Sequence, residues 1–127
     1  MRLLLDTNVL INIHHKPSLL GKKTRQSIEK ASTLYFSPLS YFELLQKDDY
    51  LGTNTKKVVA AMAEIGIQEL PLTASAALTA SRFGSLRGTD PLDFLILAQA
   101  AHEDADLMTS DRKLLELGLP FVRDSTL

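Results

Sequence analysis

The chain has 127 residues, 45% of them apolar and 23% charged, with a net charge of −1 and no cysteine. That length is read as one domain, residues 1–127, burying about 65–70% of its unfolded surface. The composition excludes disulfides, thiolate nucleophiles and zinc–thiolate sites, and the near-neutral charge argues against a protein that grips nucleic acid through bulk positive charge. No apolar run approaches the ~20 residues of a membrane span. Asp6 breaks the apolar start Met1-Arg2-Leu3-Leu4-Leu5, and no small-residue cleavage site follows, so the pattern is not a signal peptide and a cytoplasmic location is expected.

The first predicted element, Arg2 to Leu5, has the continuous apolar character of a strand buried on both faces. It ends in Asp6, and a short helix follows from Thr7 to His14, stopped before Lys16-Pro17. Residues Ser18 to Ala31 read as one helix with a mixed face, and Thr33-Leu34-Tyr35-Phe36 as a second strand. Ser37-Pro38 supplies an N-cap and a first-position proline for a helix to about Lys47. Asp48 to Asn54 is read as a loop, Lys56 to Ile65 as a helix closed by Gly66, and Gln68 to Leu70 as a brief strand. Thr73 to Phe83 is an alanine-rich helix, and Gly84 to Thr89 a loop.

Asp90-Pro91 then opens the most apolar helix, with Leu92, Leu95, Ile96, Leu97, Ala98, Ala100 and Ala101, which is expected to be central and buried. A strand at Asp106-Leu107-Met108, a helix from Ser110-Asp111 to Glu116 and a last strand at Pro120 to Arg123 complete the chain. Strands alternating with helices through short connections predict an α/β fold, a three-layer α/β/α sandwich with a mainly parallel central sheet.

Five carboxylates acquire meaning on this map: Asp6 after the first strand, Glu43 two turns into the third helix, Asp90 and Asp93 at the start of the apolar helix, and Asp111 after the fourth strand. Ligands of parallel α/β sheets bind outside the carboxyl ends of the strands, the edge these acids can reach. Each also has a purely structural explanation. Asp6, Asp90 and Asp111 suit helix caps, Asp93 stands at capping-box spacing from Asp90, and Glu43 with Lys47 forms a favourable i,i+4 surface pair. Gathered in one cleft, two carboxylates 4 Å apart repel by about 4 kcal/mol at an effective dielectric of 20. Raised pKa values or a bound cation relieve that repulsion. All-oxygen donors without cysteine or a histidine triad favour Mg²⁺ or Mn²⁺, ions suited to in-line hydrolysis of a phosphodiester.

Leu4-Leu5-Asp6-Thr7-Asn8-Val9-Leu10-Ile11 resembles the opening of a PIN domain, and Ser37-Pro38-Leu39-Ser40-Tyr41-Phe42-Glu43-Leu44 resembles the segment of its second acid. Thr89-Asp90-Pro91-Leu92-Asp93-Phe94-Leu95-Ile96-Leu97-Ala98-Gln99-Ala100 and Met108-Thr109-Ser110-Asp111 resemble those of the third and fourth. The short chain is similar to VapC-type toxins. The resemblance implies a Mg²⁺- or Mn²⁺-dependent endoribonuclease held inactive by a cognate antitoxin, and commonly a homodimer. It implies Asp6, Glu43, Asp93 and Asp111 as catalytic metal ligands, with Asp93 preferred to Asp90 because it directly precedes the apolar stretch. Thr7, Asn8, Thr109 and Ser110 are then polar support, as is Asp90. Phe94 departs from the family, where many relatives with Asp-Pro-x-Asp carry arginine, which leaves Arg87, Arg112 and Lys113 as candidates for RNA phosphate.

Two rival readings remain. One is a catalytically inactive PIN-like binding module whose acids are caps. The other is a phosphatase using Asp6 as nucleophile, as haloacid-dehalogenase-like enzymes do, but those need a second Asp two residues on, where this chain has Asn8. His14, His15 and His102 sit at the ends of helices, where positive charge is favourable without any catalytic role.

Overall fold

Leu3, Leu4 and Leu5 are all fully buried, yet they serve two different cores. In the computed structural model, which describes residues 1–127, they belong to strand β1 (Arg2–Leu5). Side chains alternate across a strand. Leu3 and Leu5 therefore join Val9, Leu10, Leu34, Phe36, Leu44, Val58 and Met62 on one face of the sheet. Leu4 joins Leu70, Ile96, Leu97, Ala100, Leu107 and Leu114 on the other. Burying each such leucine contributes about 1.5–3 kcal/mol, so a strand sharing its side chains between two cores ties both helical layers to one sheet.

The sheet contains β1, β2 (Thr33–Phe36), β3 (Gln68–Glu69), β4 (Asp106–Thr109) and β5 (Val122–Asp124). Its order is β3-β2-β1-β4-β5, and every pairing is parallel. Helices α1 (Thr7–His15), α2 (Lys22–Lys30), α3 (Pro38–Leu51) and α4 (Thr55–Ile65) lie in the first half of the chain. Helices α5 (Ala74–Leu78), α6 (Pro91–Glu103) and α7 (Arg112–Leu115) lie in the second. The chain builds outward from β1 through β2 to β3, then crosses back to place β4 on the other side of β1. The carboxyl ends of β1 and β4 thus flank the topological switch point, where parallel sheets open a crevice. The three-layer parallel architecture expected from the sequence is the one observed. No helix is long and apolar enough to cross a membrane.

Several predicted boundaries are corrected. The single helix expected over Ser18 to Ala31 is a 3-10 turn at Pro17–Leu19 followed by α2. The break falls at Gly21, whose N–H donates to the Ser125 carbonyl, while the Thr24 N–H donates to that of Leu127. A Cβ on Gly21 would sit 2.0 Å from the Leu127 carbonyl carbon, so glycine permits the C-terminal segment to close on this helix start. The loop expected from Asp48 is a continuation of α3, which ends only at Leu51, with Gly52 in the left-handed conformation at φ 67°. Asp48 ties the next turn down by accepting from the Thr53 and Thr55 hydroxyls. The helix expected over Thr73 to Phe83 tightens into a 3-10 segment after Leu78. There the Thr79 hydroxyl donates to the Ser75 carbonyl, one turn back.

Helix α6 carries a polar residue in its most buried stretch. Gln99 is 1% exposed; its amide N–H donates to the Leu70 carbonyl and its amide oxygen accepts from the Ser37 hydroxyl. One side chain thereby fixes the end of β2 and the segment after β3 against the helix. Gln99→Leu leaves the Leu70 carbonyl without a partner and the Ser37 hydroxyl with only the Leu39 N–H it accepts, and is expected to cost about 1–3 kcal/mol in urea unfolding.

Candidate active site

Asp6 stands one residue beyond β1, only 3% exposed, with its N–H donating to the Met108 carbonyl of β4. Its carboxylate is held from three directions. The Thr7 N–H donates to Oδ1 at 2.8 Å, and the Thr109 hydroxyl to Oδ2 at 2.7 Å. The Asn8 amide also reaches Oδ2, at 3.2 Å. This acid is a helix cap, as its structural explanation required, but a cap needs neither Thr109 nor Asn8. Burial pushes its carboxyl above the ordinary aspartate value; Thr109, Thr7 and Asn8 act against that, and the Asp111 charge adds to it.

The neighbouring polar residues form two connected sets. Thr7 donates its hydroxyl to Glu43 Oε1 at 2.8 Å, and the Ser40 hydroxyl lies 2.8 Å from the same Thr7 oxygen. Thr109, besides holding Asp6, accepts the Asp111 N–H at 3.0 Å, and Asn8 Oδ1 accepts the Ser110 N–H at 3.2 Å. The loop carrying Asp111 is thus anchored to the loop carrying Asp6. Ser110 takes part through its backbone.

Asp90, at the N-terminus of α6, accepts the Leu92 N–H at 2.9 Å and the Asp93 N–H at 3.4 Å. It is the cap of that helix, and Asp93 one turn in is left to face the other acids. Asp111 likewise caps α7 by accepting the Lys113 N–H. Glu43 makes no ion pair with Lys47, in contrast to the surface-pair explanation.

Electrostatics show how these carboxylates share one space. Asp93 is pushed up to about 7 by burial first, then by repulsion from Asp90, Asp111 and Asp6, and by a hydrogen bond shared with Asp111. Glu43 is also raised, by burial first; the Thr7 hydrogen bond opposes this, repulsion from Asp6 adds to it, Lys47 opposes it, and Asp90 adds to it. Asp93 thus feels Asp6, Asp90 and Asp111, Asp6 feels Asp111, and Glu43 feels Asp6 and Asp90, acids from four separate segments. As the side chains stand, no three acids or histidines close into a metal cage. Hydrogen-bond donors engage both oxygens of Asp6, and Thr7 holds one oxygen of Glu43.

The donor set fits a hard divalent cation. It is all carboxylate oxygen, it carries uncompensated negative charge, and Asp6, Glu43 and Asp93 are all raised above their ordinary values, Asp93 by the charges of three other acids. Of the basic candidates, Arg112 is engaged with Asp124 at 3.8 Å, whereas Arg87 and Lys113 make no ion pair. Ser40 was not singled out from the sequence. Its only signal is the i,i+3 spacing to Glu43, which places both on one face of α3.

Thr7→Val preserves shape but removes the hydroxyl that orients Glu43. It is expected to push the Glu43 carboxyl still higher, to lower any metal-dependent turnover about tenfold, and to cost about 1–2 kcal/mol, because Ser40 loses its partner. NMR titration of Glu43 beside urea unfolding separates the two effects.

Fold and site together define an α/β protein with a cluster of carboxylates at the switch point of a parallel sheet. The sequence matches the PIN domain over residues 3–119, and the chain belongs to that family. It is 32% identical to Ribonuclease VapC22 of Mycobacterium tuberculosis over 115 residues, covering 87% of this chain and 88% of that protein. Its fold is similar to the structure of VapBC-1 from nontypeable Haemophilus influenzae, with a TM-score of 0.71, 20% identity and all of both chains covered. VapBC2 from Rickettsia felis, bound to a DNA fragment from its promoter, matches with a TM-score of 0.70, 19% identity and 98% of each chain covered.

Proposed function

We propose that this chain is a Mg²⁺- or Mn²⁺-dependent endoribonuclease and the toxin of a toxin–antitoxin pair, acting in the cytoplasm. The observation that carries the reading is the cluster of acids at one sheet edge: burial first, then the charges of Asp90, Asp111 and Asp6, push the Asp93 carboxyl up to about 7, and Glu43 is raised beside them by burial and by the charges of Asp6 and Asp90. The relative named as a ribonuclease and the likeness to VapBC assemblies support the activity and the antitoxin partner.

These four acids would hold the cation, with Asp90 adding negative charge from the cap of α6. The bound metal would activate a water and stabilise the departing oxygen of the phosphodiester. The chain's own residues set the conditions for that chemistry. Asp6 cannot swing away, because Thr7, Asn8 and Thr109 grip it. Glu43 is aimed by Thr7. Asp93, pushed up to about 7 by burial and its acidic neighbours, would be held as the carboxylate by a bound cation. Arg87 and Lys113, which make no ion pair, would be the residues that meet RNA phosphate.

The test is cleavage of single-stranded RNA by the purified protein with Mg²⁺ or Mn²⁺, with and without chelator, and with the cognate antitoxin added. Cleavage that requires metal and stops at one antitoxin per toxin is expected. Folded, antitoxin-free protein that is inert on RNA with either metal would favour the inactive binding module. Light scattering tests the expected homodimer.

A further inference from the structure

Beside the acids lies a cavity of about 300 Å³ that the carboxylate chemistry does not use. Pro91, Phe94 and Leu95 of α6 form one wall, Leu86 and Thr89 of the preceding loop the other, and Ala80 contributes to the small-residue floor. Both sites draw on the start of α6: Asp93 faces the other acids, and Pro91, Phe94 and Leu95 lie about 100–200° round the helix from it, so the slot opens on the far flank of the same N-terminus. The loop wall is set by two glycines that any side chain would strain, Gly84 at φ 102° and Gly88 at φ 69°. Arg87, between Leu86 and Gly88, is exposed and free of ion pairs, so the apolar slot carries one cation on its rim.

Building on the ribonuclease reading, we propose that this slot seats the base of a nucleotide next to the scissile phosphate, with Arg87 on a neighbouring phosphate. Its volume is at the small end of ligand sites, suited to one planar ring system. Single-stranded RNA presents such rings unstacked beside its phosphates, and they pack on aromatic and apolar side chains. The lining offers only one polar side chain, Thr89, whose hydroxyl already donates to the Leu86 carbonyl. Recognition therefore rests on stacking rather than hydrogen-bond readout, and the slot accepts any base but not an empty sugar.

The probe is a short single-stranded RNA that the wild type cuts at one place, with each position in turn made abasic. Binding is read by fluorescence anisotropy on Asp6→Asn and cleavage on the wild type. One abasic position adjoining the cut is expected to weaken binding and raise KM about 5- to 100-fold, while exchange among the four bases there changes either by under about threefold. Leu86→Ser, at a residue 50% exposed and so safe for folding, is expected to produce the same loss on intact RNA and none on the abasic strand. Phe94→Ala repeats the test from the opposite wall. Equal sensitivity at every position, or losses from Leu86→Ser and the abasic site that multiply, would overturn the slot while leaving the nuclease intact. So would a Leu86→Ser protein that cuts with unchanged KM yet no longer binds its antitoxin, which would make the slot a protein contact. Wild type that neither binds nor cuts RNA would overturn both readings together.

Discussion

Asp6→Asn is expected to lower metal-dependent RNA cleavage by about 10²–10³-fold with the fold retained. The substitution removes one charge and almost no volume. The side-chain oxygen can keep the Thr7 N–H, so the start of α1 stays capped. What changes is the atom facing Thr109 and Asn8: an acceptor of two hydrogen bonds becomes a donor. Thr109 can answer by turning its hydroxyl. Loss of a buried, mutually repelled charge offsets the poorer hydrogen bonding, and the net stability change is expected to stay within about 1 kcal/mol. Asp6→Ala is less informative, because it also removes the cap. RNA gel assays beside urea unfolding provide the comparison. Cleavage within a few-fold of wild type by folded Asp6→Asn protein would remove Asp6 from the site.

Why Asp6 is readable from the sequence, and other parts of the site are not, follows from the range of the forces involved. A continuous apolar run stopped by a carboxylate is a local pattern, and burial on two faces at the centre of the sheet is what it describes. Asp90-Pro91 is equally local, a cap and a first-position proline, and α6 begins there. The meeting of Asp93 with Asp111 depends on the chain crossing back over β1 to place β4, which no short-range pattern encodes. Gln99 was hidden for a related reason. In a helix apolar nearly all round, one amide has no visible purpose until Ser37 and the Leu70 carbonyl arrive from distant segments. Gly21 likewise has no cue in its neighbourhood, since the backbone that forbids a Cβ there belongs to Leu127. The early end assigned to α3 has a different cause. The polar run after Lys47 resembles a loop, and helix continues until Gly52 offers a left-handed exit.

The second large effect is on metal, protons and stability together. In the unfolded chain Asp93 releases its proton near 3.8, and in the metal-free fold near 7. Between these values the native state binds more protons than the unfolded state, so unfolding free energy falls as pH rises. Below the window both forms are protonated, and above it both are ionised, so the slope vanishes at each end. Asp6 and Glu43 are shifted in the same direction and reinforce it. Asp93 is only partly buried, so screening reduces its share to about 1–2 kcal/mol, or roughly 3–8 °C of melting temperature, lost between pH 4 and 7. Saturating Mg²⁺ supplies the missing positive charge and is expected to flatten this dependence. Its binding near pH 6 should release close to one proton, and near pH 9 almost none. Asp93→Asn should remove the Asp93 share of the metal-free slope, leaving the shallower one from Asp6 and Glu43, and raise stability toward pH 7, while losing cleavage about 10²–10³-fold. Scanning calorimetry across pH, with Mg²⁺ titrations in two buffers of different ionisation enthalpy, measures each quantity. A metal-free melting temperature that rises from pH 4 to 7, in wild type and Asp93→Asn alike, would show that Asp93 does not carry the charge conflict at this sheet edge.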